Sequence, residues 1–144
     1  MNELNKRSVS LVFKSAIGSI LLGGMSMVFA ASEPVALSGG EEVPPVTTSA
    51  SGTVTIQVNP DKNVSGSVTT KGIDGTAVHI HEGEMGKNGP VAITLTKGSD
   101  GKWAVPDGSK FTDAQYESYK AGKLYVNVHS TAHKDGEIRA QLKP

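Results

Sequence analysis

Between residues 51 and 58 the chain alternates strictly, with Val54, Ile56 and Val58 on one parity and Thr53, Thr55 and Gln57 on the other. A β-strand turns this period into one apolar and one polar face, because successive side chains point to opposite sides. The run Asn59-Pro60-Asp61-Lys62-Asn63 breaks the pattern and a second alternating segment follows at 64–70, so the pair reads as a hairpin with a longer loop. Further strands are expected at 76–81, 91–96, 102–105, 123–129 and 136–142. Seven short strands at this spacing predict an all-β sandwich or barrel. The 17 glycines and 7 prolines supply turns between them and argue against a helical bundle. One short helix is expected at 112–121, with Thr112 and Gln115 forming a capping box, Gly122 stopping it, and Tyr116 and Tyr119 giving it a face to dock on the sandwich.

The amino-terminal residues have a different character. Lys6, Arg7 and Lys14 precede an apolar stretch at 16–29 that ends in small residues around Ala30 and Ala31, the layout of a secretory signal peptide. The stretch is shorter than the roughly 20 residues of a membrane span. The expected organisation is a signal peptide at 1–30 and a single domain at 31–144, exported to the periplasm or the extracellular space, with no membrane attachment after cleavage. The whole chain has 14 basic and 14 acidic residues and no basic patch interleaved with aromatics, which argues against a nucleic-acid partner. The absence of cysteine excludes disulfides, thiolate nucleophiles and iron–sulfur sites. Chemistry is left to four histidines and some carboxylates.

The histidines stand at the ends of two expected strands. On the first, His79 and His81 alternate with Val78 and Ile80; on the later one, Tyr125, Asn127 and His129 alternate with Leu124, Val126 and Val128. His79, His81 and His129 therefore project from the face opposite the core. On neighbouring strands their Cβ atoms would stand within about 4.5–5.5 Å, close enough to share a metal ion. His133, in the following loop, is the fourth candidate ligand. An imidazole set in an exported, cysteine-free chain suits copper first and zinc second, and suits magnesium or calcium poorly. A solvated strand face is the plainer account of the same residues.

Other residues point less far. Met85 offers a thioether to copper(I), or an apolar anchor for its glycine-rich loop, and the anchor is preferred. Glu82 and Glu84 read as solvated loop charges more readily than as hydrogen-bond partners of imidazoles. Ser130 follows His129 directly and so points to the opposite face, which argues against a Ser–His pair. The run E-M-G-K-N-G at 84–89 lacks the pattern of a phosphate loop. Arg139 reads as the partner of Glu137 or of a neighbour across the sheet, and Pro44-Pro45 as an extended segment protecting a sheet edge.

Five segments resemble the CHRD (chordin) domain: L-S-G-G-E-E-V-P-P-V at 37–46, H-I-H-E-G at 79–83, N-G-P-V at 88–91, L-Y-V-N-V-H-S at 124–130 and G-E-I-R-A-Q-L at 136–142. The resemblance implies a Greek-key β-sandwich, immunoglobulin-like or superoxide-dismutase-like, found in exported proteins, and implies no established activity. Ala140 departs from the glycine usual there. The H-x-H strand is also similar to the copper-binding strand of copper/zinc superoxide dismutase, though the chain lacks that family's cysteines. The expected function is transition-metal binding, copper favoured, for storage, delivery or sensing rather than catalysis. The alternatives are a metal-free module contacting an envelope or extracellular protein, and a copper-dependent enzyme handling superoxide.

Overall fold

The computed structural model describes residues 32–144; the expected signal peptide lies outside them. The described chain forms two antiparallel sheets and one short α-helix, an all-β sandwich. The strands are β1 (Val35–Leu37), β2 (Ser51–Val58), β3 (Val64–Lys71), β4 (Gly75–Glu82), β5 (Val91–Thr94), β6 (Thr96–Lys97), β7 (Lys102–Ala104), β8 (Leu124–Ser130) and β9 (Ile138–Gln141). One sheet has the order β1-β2-β3-β7-β6 and the other β5-β4-β8-β9. The connections β3 to β4, β5 to β6 and β7 to β8 each cross from one sheet to the other. Two strands were not expected: β1, in a segment without alternation, and β6, which splits from the end of the expected 91–96 strand.

The sheets meet through the apolar parity of each strand. Val54 and Val68 of the first sheet and Val78, Ile80, Val126, Val128 and Ile138 of the second are at most 1% exposed. Each such side chain contributes about 1.5–3 kcal/mol by leaving water. Trp103 of β7 and Phe111 fill the same layer. Ala140 also belongs to it, so its extra methyl is accommodated inside the core.

Helix α1 (Asp113–Lys120) connects β7 to β8, and its capping box is formed as expected: Gln115 N–H donates to Thr112 Oγ1, and Thr112 N–H donates to Gln115 Oε1. Tyr116 and Tyr119 pack on the core from the side. No helix among the described residues is long and apolar enough to cross a membrane.

Three loops, 39–46, 83–90 and 131–137, place backbone or side-chain groups against the outer face of the β5-β4-β8-β9 sheet. Loop 39–46 is closed by Val46 N–H donating to the Gly39 carbonyl and is tied to loop 83–90 by Asn88 Nδ2 donating to the Val43 carbonyl, 2.8 Å in each case. Pro44 and Pro45 lie in this loop outside any strand. Beneath the loops Tyr125, Asn127 and Arg139 are buried although their parity directs them away from the core.

Candidate metal centre

Strands β4 and β8 pair so that Ala77 faces His129, His79 faces Asn127 and His81 faces Tyr125. His79, His81 and His129 thus occupy one patch of the outer face, as the alternation predicts. One ring nitrogen from each lies within 4.8 Å of the other two. Two atoms bound to one ion at about 2.0–2.1 Å stand about 3.4 Å apart in tetrahedral geometry and about 4.2 Å apart when opposite one another, so the widest pair would close by about 0.6–1.4 Å.

The expectation of surface histidines needs correction. His81 is 8% exposed, and His79 and His129 are half-buried, because the loops lie over the face. Burial and the neighbouring imidazoles push the His79 pKa below its usual value. Burial does the same at His81, opposed by its hydrogen bond to the Gly89 carbonyl. Both rings are therefore biased toward the neutral form, the form in which imidazole coordinates metals.

Loop carbonyls choose the tautomers. A carbonyl can only accept, so His81 Nδ1–H donates to Gly89 O at 2.9 Å and His129 Nδ1–H donates to Lys134 O at 2.7 Å. In the neutral form of either ring the lone pair is then on Nε2. Metal-binding histidines commonly donate their other N–H in this way. His79 Nδ1 lies 3.0 Å from His129 Nε2, so in the metal-free protein His79 donates across that contact. With the His79 proton on Nε2 instead, His79 Nδ1 and His129 Nε2 would each present a lone pair to an ion.

His81 is held further by stacking. Its ring lies parallel to Tyr125, with 4.8 Å between centroids and 2° between planes, and the Arg139 guanidinium sits 3.5 Å from the Tyr125 centroid. Arg139, 1% exposed, donates to Asn88 Oδ1, Glu84 O and Gln141 Oε1. Its expected partner Glu137 instead accepts from Thr48. Gly89 must be glycine because a Cβ there would strike the Glu82 carbonyl.

The remaining candidates lie elsewhere. His133 is in loop 131–137, outside the group of three, with its backbone N–H donating to Ser130 Oγ. Met85 is 72% exposed, so it does not anchor its loop by packing. Glu84 pairs with Lys123 at 3.1 Å and Glu82 accepts from Ser118, so neither holds an imidazole.

Sequence reasoning left Asn127 and Glu42 without roles. Asn127 shares the parity of His129, which was the available signal; Glu42 lies in a loop and has none. Glu42 is 5% exposed, and burial pushes its pKa up to about 7 against the opposing effects of Arg139 and the Asn127 amide. Gly136, at φ 129°, passes so close that a Cβ would lie 2.6 Å from both Asn127 Nδ2 and Glu42 Oε1.

All five segments that carried the resemblance contribute to this face: Glu42; His79 and His81; Asn88 and Gly89; Tyr125, Asn127 and His129; Gly136, Arg139 and Gln141. The family model described as the CHRD domain matches residues 34–142. The chain belongs to the CHRD family. Comparison with curated proteins found no match, and comparison with solved structures found none. In this CHRD domain the family-matched region contains both sheets and the histidine group.

Proposed function

We propose that this CHRD domain binds one transition-metal ion, copper in preference to zinc, through His79, His81 and His129, as an exported protein of the periplasm or extracellular space that stores, delivers or senses the metal. The observation that carries the reading is the approach of three imidazole nitrogens to within 4.8 Å of one another. The carbonyls of Gly89 and Lys134 support it by holding Nδ1–H of His81 and His129, which assigns the lone pair of either ring in its neutral form to Nε2. Three nitrogen donors favour copper(II) over zinc on the general affinity order. Binding is favoured over catalysis because the described carboxylates hold no position against the imidazoles, and Ser130 accepts from His133 N–H instead of pairing with His129.

Copper(II) titration of the protein from 31 to 144, followed by calorimetry and electron paramagnetic resonance, tests the proposal. One ion per chain is expected, with affinity lowered about 100-fold or more in His79→Ala and His129→Ala. Unchanged stoichiometry and affinity in both variants overturns it and favours the metal-free interaction module. His133→Ala is titrated alongside, and loss of affinity there adds His133 to the set. Copper-loaded protein is expected to remove superoxide no faster than free copper; a faster rate moves the reading to the enzyme.

A further inference from the structure

The side chain of Asn127 occupies the middle of the outer face, between Tyr125 and His129 along β8, with His79 across on β4 and Arg139 across on β9. It is 3% exposed, and its Oδ1 has no hydrogen-bond partner. The neighbours decide which end of the amide is oxygen. One end faces the Glu42 carboxyl group and the Asp135 carbonyl, the latter 3.5 Å from Nδ2. A carbonyl only accepts, so this end is the NH2 group; reversing the amide would set oxygen against oxygen.

Oδ1, buried and without a partner, is thereby left for the other end of the amide, and His79 and His81 stand on β4, the strand beside it. A neutral His81 ring has no second proton to give. Its Nδ1–H is committed to Gly89, and its Nε2 is also buried without a partner. Two buried acceptors on one face thus lack a donor, and each costs about 1–3 kcal/mol when left unsatisfied. A cation bound to both converts both costs into attraction.

We infer that the Asn127 side-chain oxygen is a fourth ligand of the ion held by His79, His81 and His129, and that Glu42 holds the amide in the orientation that presents it. The inference rests on the metal-binding reading and deepens it. A set of three nitrogens and one hard oxygen selects a divalent ion and disfavours copper(I), which prefers soft thiolate and thioether donors.

Asn127→Leu keeps the approximate volume and removes the oxygen. Titrated with copper(II) beside wild type and His79→Ala, it is expected to bind one ion about 10–100-fold more weakly, with a changed copper hyperfine coupling. Wild-type affinity and spectrum in Asn127→Leu overturn the fourth ligand and leave the histidines standing. Unchanged binding in His79→Ala overturns the histidine site itself. Should Asn127→Leu not fold, wild-type protein labelled with 15N and 13C is titrated with zinc(II). The Asn127 carboxamide resonances are expected to shift in step with the three imidazoles, and resonances that stay in place at saturation overturn the inference.

Discussion

The two sheets obey the same alternation and treat their outward residues in opposite ways. On the β1-β2-β3-β7-β6 sheet, Thr53, Thr55, Ser65 and Ser67 stand exposed, one residue away from buried valines and isoleucine. On the β5-β4-β8-β9 sheet the equivalent parity carries His81, Tyr125, Asn127 and Arg139, all at most 8% exposed. The period of a strand therefore says which residues leave the core, and the loops decide whether those residues arrive in water. Where loops cover the face, every polar atom needs a partner, and three lack one: Glu42 Oε1, His81 Nε2 and Asn127 Oδ1. Their concentration under the loops is the observation on which the proposed ion site draws.

The sharpest break of that contrast is Arg139→Ala. It removes the cap on Tyr125 and the donors to Asn88, Glu84 and Gln141, and an expected loss of about 3–4 kcal/mol is read from urea unfolding. A loss below about 1 kcal/mol would show that the covered face is as tolerant as the bare one.

Glu42→Gln sharpens the comparison through pH. Between the ordinary 4.5 and about 7 the native metal-free chain retains a proton that the unfolded chain has released, so this carboxyl lowers stability as pH rises, with its full cost present above pH 7. His79 and His81 act in the other direction, since with lowered pKa values their contribution grows as pH climbs toward 6.5. The difference between Glu42→Gln and wild type cancels the histidines. It is expected to grow from near zero at pH 4.5 to about 2–3 kcal/mol in favour of the variant at pH 8, measured by thermal unfolding at each pH. The smallest effect belongs to the bare face, where Thr55→Ala is expected to stay within about 0.5 kcal/mol of wild type by the same melts.

Most strands and the helix could be read from residue order, because alternation and the Thr112–Gln115 capping box are local signals. Parity gave the outward direction of His79, His81 and His129, while the pairing of β4 with β8 that brings them together is non-local and carries no signal in residue order. The cover could not be read in the same way. Arg139 and Thr55 are indistinguishable by period, both being polar residues between apolar ones, and only the distant loops at 39–46, 83–90 and 131–137 separate them. Glu42 sits in such a loop, where no repeat announces that its carboxyl will be buried beside Asn127. Strand β1 was missed because its three residues carry too short a pattern.

Past β1 the chain does not remain with its own sheet. Ser38 exchanges two backbone hydrogen bonds with Arg139, of 3.0 and 2.9 Å, and so laces the rim of one sheet to the last strand of the other. Tension on the segment entering β1 reaches, within four residues, the strand whose guanidinium clamps the aromatic stack beside His81. Such a pull loads first the pairing of β1 with β2, where Val35 lies opposite the buried Val54, and then passes through Ser38 to the strand beside the imidazoles, so the entrance is coupled to the valine interior and to the histidine patch in turn.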